Sequence, residues 1–423
     1  MSSDAADSGG RGPHPDPLPA EGEGKGADAI AAWLLTADAV RARAQELLAL
    51  VEGGAAAHFT YRAERLRPTV DYVLATIRAN YPDLTIPFHS RWRHFSVGRT
   101  DRWGMLEKEL AGEAREEIAR IRFDLAVTSV LLDAGAGPAW RYREAGGDDY
   151  ARSEGLAVAS FHLFRDGIFA ADRARKLRAD AAALSRLDDE HLAAGMQVAP
   201  DNPLVGIAGR GLLLRRLGAA LADQPALFGP AGRIGNLFDH LAAQARAGKL
   251  PASAILDAVL RGFGAIWPGR HAVAGIALGD VWPHSTGLVP FHKLSQWLAY
   301  SLIEPLEDAG IAITDIDRLT GLAEYRNGGL FLDLGLLVPR DPGILRRVLA
   351  VDEEPVVEWR ALTVALLDRV ADGLRTALQM DAQRLPLAKV LEGGTWSAGR
   401  RIASQMRTGG APPLAIASDG TVF

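Results

Sequence analysis

Residues 287–310 read GLVPFHKLSQWLAYSLIEPLEDAG, and residues 319–335 read LTGLAEYRNGGLFLDLG. The first stretch sets the fold class, because Phe291, Leu294, Leu298, Leu302 and Pro305 recur at helical spacing and make one stripe of a helix that faces a core. Lys293, Gln296 and Tyr300 share another stripe of the same helix. Lys293, Glu304, Glu324, Arg326 and Asp333 stand inside otherwise apolar sequence. Charges so placed mark a site or a buried ion pair, since an unpaired charge is costly to bury. In the second stretch a short helical turn is expected to end at Tyr325-Arg326. Asn327-Gly328-Gly329 is then expected to turn the chain sharply, because Gly accepts positive φ and Asn tolerates it. On that reading Glu324 and Arg326 sit at the lip of a turn.

Working outward, helical patterns cover 28–52, 68–80, 103–133, 154–166, 188–195, 208–223, 234–247, 251–263, 289–309, 315–325 and 355–380, while strand-like runs are short and few. Asp315 is placed to cap the helix that starts there, and Gly167 to close the one begun near Ser153. Gly206-Ile-Ala-Gly209-Arg-Gly211 has no strand before it, so it reads as the start of a helix and not as a dinucleotide fingerprint or a P-loop. The expected fold is mainly α: a large helical domain over 28–423, or two lobes, 28–200 and 201–423, divided near the Pro- and Gly-rich residues 197–206. Residues 1–27 combine Gly, Pro and charge with almost nothing to bury and read as a disordered tail.

Composition narrows the function classes. With 423 residues and 48% hydrophobic content, the chain can bury a large core. A net charge of -5 gives no general attraction to a polyanion, so nucleic acid is not expected as a partner. The absence of cysteine excludes disulfides, thiolate zinc sites and cysteine nucleophiles and fits a reducing compartment, with the cytoplasm as the expected location. No basic stretch followed by an apolar one opens the chain, so no signal peptide is expected. No uncharged apolar run approaches the roughly 18–20 residues of a membrane span.

Other candidate residues follow from local chemistry. Asp133 stands where the apolar helix ending before Ala-Gly-Ala-Gly-Pro stops, so its charge opposes the helix dipole unless function, a nearby cation or a hydrogen bond to the glycine turn offsets it. Glu358 opens a long helix on the stripe of Leu362 and Leu366, pointing inward. It reads either as a site carboxylate or as a cap or partner of an arginine such as Arg360. His89-Ser-Arg91-Trp92-Arg-His94-Phe95 interleaves cations with aromatics, which suits stacking on a ring while holding a phosphate and also suits a packed surface loop. Asp280 and His284, across Trp282-Pro283, are the nearest approach to a metal-ligand pair, but no His-Glu-x-x-His occurs and no metal or cofactor is expected. There is no Gly-x-Ser-x-Gly elbow for a serine nucleophile.

Long strings of this sequence resemble the family linked to the non-reductive route of uracil catabolism in fungi, found also in bacteria. They include RWRHF (91–95), SVLLDAGAG (129–137), RSEGLAVAS (152–160), LGDVWP (278–283), LVPFHKLSQWL (288–298), GLAEYRNGGLF (321–331), VEWRALTVALLD (357–368) and GTWSAGR (394–400). A more distant similarity is to the queuosine-salvage N-glycosylases, helical enzymes related to helix-hairpin-helix DNA glycosylases. Phe291-His-Lys293-Leu-Ser-Gln296, Ala323-Glu324-Tyr325-Arg326 and Glu358-Trp-Arg360-Ala361 follow the order and approximate spacing of that family's motifs. The similarity implies that Glu324 stands for the family's active-site aspartate, Lys293 for its lysine, and Glu358 and Arg360 for its later acidic and basic pair. Glutamate in place of aspartate, and Asn327-Gly328-Gly329 in place of valine-proline-glutamine, are departures from the pattern.

These resemblances imply a hydrolase that cleaves an N-ribosyl bond in a uracil-breakdown intermediate, a ribosylurea or its 5′-phosphate, with no cofactor. Glu324 is the expected carboxylate beside the anomeric carbon, and Asp133 or Glu358 the second acid. Lys293, Arg326, Arg360 and Arg91 are expected to hold the anionic part of the ligand, Gln296 to contact it, and Trp92 or Trp282 to stack on the flat leaving group. The alternative is a non-catalytic partner that binds a nucleoside or nucleotide intermediate for another enzyme of the route. A metal-dependent amide or ureide hydrolase has the poorest ligand spacing.

Overall fold

The Lys293–Asp308 helix begins after a β-hairpin, Val281–His284 paired antiparallel with Gly287–Pro290, so the helical pattern expected from residue 289 starts four residues later. It buries Leu298, Leu302 and Pro305 together with Gln296 and Tyr300, and packs against the Arg115–Leu131 and Ala252–Phe263 helices. The computed structural model describes residues 25–267 and 271–417. Most of the expected tail, and the final residues 418–423, lie outside the described residues; residues 25–27 belong to the first helix, Lys25–Leu34.

The protein is mainly helical, as its periodicity predicts. Several long patterns divide where a local signal interrupts them. The pattern over 28–52 breaks at Thr36, whose hydroxyl accepts from Ala39 N at 3.1 Å and starts the Ala37–Glu52 helix. The pattern over 103–133 divides into Arg102–Glu109 and Arg115–Leu131, separated by a segment containing Gly112. Gly167, at φ 80°, follows the Arg152–Arg165 helix in the expected position, and Gly206 starts Ile207–Ala222. The pattern over 315–325 is not an α-helix: Asp315 adopts a left-handed conformation before the short 3-10 turn Ile316–Arg318 and makes no side-chain cap.

A larger correction falls at Asn327-Gly328-Gly329. These residues do not turn the chain; they lie inside the helix Tyr325–Asp333, which begins where the sequence reading ends a helix. The glycines answer to close packing. A Cβ on Gly328 would stand 2.6 Å from the Trp359 ring, and one on Gly329 would stand 3.0 Å from Pro413.

Strands among the described residues form six two-stranded pairs. Phe59–Tyr61 runs antiparallel to Leu337–Pro339, and Val348–Leu349 runs parallel to Ala415–Ile416. The 25-residue helix Glu354–Leu378 is nearly all buried through Leu367 and lies against Ala37–Glu52, Leu66–Asn80 and Tyr325–Asp333. Trp396–Met406, outside the helical patterns read from periodicity, covers the other side of Tyr325–Asp333. Buried side chains from before and after residue 200 fall in one hydrophobic cluster extending from Ala37 to Leu414. No helix among the described residues is long and apolar enough to cross a membrane.

Candidate functional site

Three helices begin at one cavity of about 360 Å³: Arg152–Arg165 through Arg152 and Ser153, Lys293–Asp308 through Lys293, and Tyr325–Asp333 through Glu324, Tyr325 and Arg326. Helix starts carry unpaired backbone N–H groups and the positive end of the dipole, so their convergence favours an electron-rich ligand. Asp133–Pro138, beyond the end of Arg115–Leu131, and residues in 410–416 form further parts of the wall.

Lys293 is held by its backbone. Asp280 Oδ2 accepts from Lys293 N at 3.0 Å, and Asp280 is gripped by both terminal nitrogens of Arg360 at 2.8 Å and by Trp282 Nε1 at 2.6 Å. The residue before it, His292, is buried in a left-handed conformation (φ 48°), with its Nε2 at 2.8 Å from the Leu34 carbonyl. A non-glycine residue in that region costs energy and persists only where its surroundings impose it. The Lys293 ammonium lies 5.9 Å from the centre of the Trp297 ring and makes no ion pair or hydrogen bond among the described residues.

Glu324 is held by three residues from other elements. Gln296 brackets Thr320 by donating to its hydroxyl at 2.5 Å and accepting from its N–H at 3.1 Å, while Tyr300 donates to the Thr320 carbonyl at 2.9 Å. The fixed segment leads to Ala323, whose carbonyl accepts from Arg360 at 3.4 Å, and then to Glu324 as the N-cap residue of its helix. Glu324 Oε1 accepts from Asn327 N at 3.2 Å; its other oxygen has no hydrogen-bond partner among the described residues. Burial pushes this carboxyl above its ordinary range, against the opposing pull of Lys293, His89 and Arg326.

Asp133 also lines the cavity, and the cation that offsets its position beyond the helix end is Arg91, 3.1 Å away. Arg91 itself is fully buried behind the wall, with Nε donating to Ser129 at 2.7 Å. Arg326 lines the cavity and donates to the Gly410 carbonyl at 2.9 Å, while Arg152 donates to Gly409 at 2.8 Å, so these two cations also anchor the wall segment that follows the Trp396–Met406 helix.

The remaining expected residues lie off the cavity lining. Trp92 is a core residue whose Nε1 donates to the Ser301 carbonyl at 2.7 Å, Trp282 serves Asp280, and Gln296 serves Thr320. Arg360 is committed to Asp280 beneath Lys293. Glu358 is fully buried and accepts from Phe59 N at 2.9 Å and His58 N at 3.2 Å. Conversely, His89, His94, Arg152, Trp297, Tyr325 and Trp396 line the cavity without having been singled out for it. The signals that point to them are the 89–95 run of cations and aromatics and the strings containing Arg152, Trp297, Tyr325 and Trp396. Each histidine ring lies about 6 Å from both Trp297 and Trp396. Burial and the neighbouring Arg91 push the His94 imidazole down to about 4, so it is neutral near pH 7.

Residues 33–423 match the family described as Protein of unknown function (DUF1688). The chain belongs to that family. Protein urg3 of Schizosaccharomyces pombe is 39% identical to this DUF1688 chain over 402 residues, covering 93% of this chain and 98% of the fungal one. Uracil catabolism protein 4 of Lachancea kluyveri is 39% identical over 411 residues, covering 86% of this chain and 92% of its own length. The second of these names agrees with the family resemblance carried by the sequence strings.

Proposed function

We propose that this protein acts in uracil catabolism as a hydrolase that cleaves the N-ribosyl bond of a breakdown intermediate, a ribosylurea or its 5′-phosphate. The observation that carries the reading is the Glu324 carboxylate, buried in the cavity with one oxygen unengaged and with Lys293 beside it on the same wall. Breaking a C1′–N bond builds positive charge on the sugar, and a fixed carboxylate stabilises that charge most in a site that excludes water. The same carboxylate takes the proton of the attacking water, a task for which burial has raised its basicity. Lys293, Arg326 and the three helix starts favour an anionic group on the sugar, and Trp297, Trp396 and Tyr325 offer flat surfaces to the rest of the ligand. The uracil route itself rests on family membership and on the name of the Lachancea kluyveri relative.

The test is turnover by the purified full chain. Ribosylurea is expected to yield urea and ribose, and its 5′-phosphate urea and ribose 5-phosphate, followed by chromatography. Glu324→Gln is expected to lower the rate by about 10²–10⁴-fold without loss of thermal stability. Undiminished turnover in the variant overturns the role of Glu324. Tight binding of either compound with no conversion supports the alternative, a protein that holds the intermediate for another enzyme.

A further inference from the structure

Cleavage of a C1′–N bond needs a proton on the departing nitrogen, and the two acids expected for that task are otherwise engaged. Glu358 lies off the cavity with its oxygens facing the amides of His58 and Phe59. Asp133 faces the buried Arg91, and protonating it would leave that guanidinium without its ion partner, an expensive arrangement. His94 is held neutral by burial and by Arg91.

His89 differs from all three. Its ring lines the cavity, is 4% exposed, and has Nδ1 2.7 Å from Glu392 Oε2. Its Nε2 has no partner among the described residues. The ring lies near two others, 6.2 Å from Trp297 and 6.0 Å from Trp396 between centres and tilted to both, and its backbone N–H donates to the Ala388 carbonyl at 2.9 Å. Glu392 sits in a single π-helical turn, Leu391–Thr395, which joins directly to the Trp396–Met406 helix. Such turns are rare, and they occur frequently at functional sites. Here the turn carries Glu392, which meets the imidazole at Nδ1, and leads into Trp396, which faces the same cavity. Burial disfavours the Glu392 carboxylate, but its neighbours together, the hydrogen bond and charge of His89 foremost among them, outweigh it and hold the group below its ordinary range.

We propose that His89, oriented by Glu392, is the proton donor to the departing nitrogen. This rests on the N-ribosyl reading above and assigns the acid that reading lacks. A carboxylate that accepts from Nδ1–H fixes the tautomer and the aim of the ring and offsets the charge on the imidazolium. The C1′–N bond breaks with its electron pair passing to nitrogen, and the Nε2–H of His89 supplies the proton there. The water oxygen bonds to C1′ as Glu324 takes one of its protons. Proton transfer from Glu324 to His89 through solvent restores both groups, so one water is consumed and nothing else. Glu392 touches no reacting atom and is a positioning residue.

Two measurements on the full chain test this. Side-chain ¹⁵N NMR of the ligand-free protein is expected to show the proton of neutral His89 on Nδ1, and Glu392→Ala is expected to release that tautomer. An unchanged tautomer in the variant overturns the pair. Turnover is then compared on ribosylurea and on p-nitrophenyl β-D-ribofuranoside, whose leaving group departs without a proton. His89→Asn is expected to lose about 10²-fold in kcat on ribosylurea with KM little changed, and to retain most activity on the nitrophenyl compound. Glu392→Gln, which preserves volume, is expected to show the same selective loss in smaller degree and covers the case of a His89 variant that fails to fold. Equal losses on both substrates overturn the proton-donor role while leaving the N-ribosyl reading intact. A wild-type protein that cleaves neither substrate removes that reading and the proton-donor role together, while the tautomer still decides the pair.

Discussion

Glu324 and Glu358 have much in common by sequence and by burial, since each lies near the start of a helix in an apolar run and each is buried, at 8% and 0% exposure. Their hydrogen bonds separate them. Glu358 meets two backbone N–H groups of the chain entering the Phe59–Tyr61 strand, with His284 Nε2 3.7 Å away, so it ties the β-ribbon to the long Glu354–Leu378 helix. Glu324 accepts one N–H at 3.2 Å and presents its other oxygen to a cavity containing an unpaired ammonium. A saturated buried carboxylate serves architecture, whereas an unsaturated one beside an unpaired cation is the arrangement on which the proposed site rests.

Removing Glu358 puts this division to its severest test. Glu358→Ala leaves the amides of His58 and Phe59 buried without an acceptor and is expected to cost roughly 2–4 kcal/mol of stability, read by chemical denaturation. Binding and turnover at the cavity should survive at temperatures where the variant is folded. A variant of full stability and no turnover would reverse the division between the two glutamates.

The same contrast explains how far the sequence could be read. The Lys293–Asp308 and Glu354–Leu378 helices are legible because their apolar stripes are local, and Lys293, Glu324 and Arg326 are legible as charges set in otherwise apolar sequence. What distinguishes a site charge from a structural one is its partner, and the partners are remote: Asp280 is 80 residues from Arg360, and Phe59 is 299 from Glu358. The His89–Glu392 pair spans 303 residues and depends on a π turn that no local pattern announces. Asn327-Gly328-Gly329 misleads for a related reason. Locally, glycines permit a turn; in the fold they admit Trp359 and Pro413, a demand set by packing.

Gly399 offers a smaller perturbation, on the side of the cavity. A Cβ there would stand 2.1 Å from the Arg326 carbonyl oxygen, so Gly399→Ala must part the Trp396–Met406 helix from Tyr325–Asp333. The cost is expected to be about 1–3 kcal/mol. Unlike Glu358→Ala, it should also weaken ligand binding, because Trp396 and Arg326 lie on opposite sides of that contact and both line the cavity. Stability loss with unaltered binding would show that the helix pair does not shape the site.

The smallest expected effect is the one whose sign separates the two glutamates. Burial raises the Glu324 carboxyl above its ordinary range despite Lys293, His89 and Arg326, so between the unfolded and folded values the folded protein binds the extra proton. Stability from this group is therefore present below the ordinary carboxylate range and is lost as pH rises through the folded value. Glu324→Gln removes the titration while retaining an acceptor for Asn327 N, and its stability relative to wild type should rise over that interval. Glu358→Gln should instead simply be less stable, because an amide oxygen is a weaker acceptor for the two N–H groups than a carboxylate and its NH₂ offers them nothing. Denaturation curves of Glu324→Gln at pH 4 and pH 7 read the first of these, and a single comparison of Glu358→Gln with wild type reads the second. A Glu324→Gln protein that loses ground to wild type as pH rises would mean that the carboxylate is stabilised by its surroundings after all, and that its unengaged oxygen is no mark of a site.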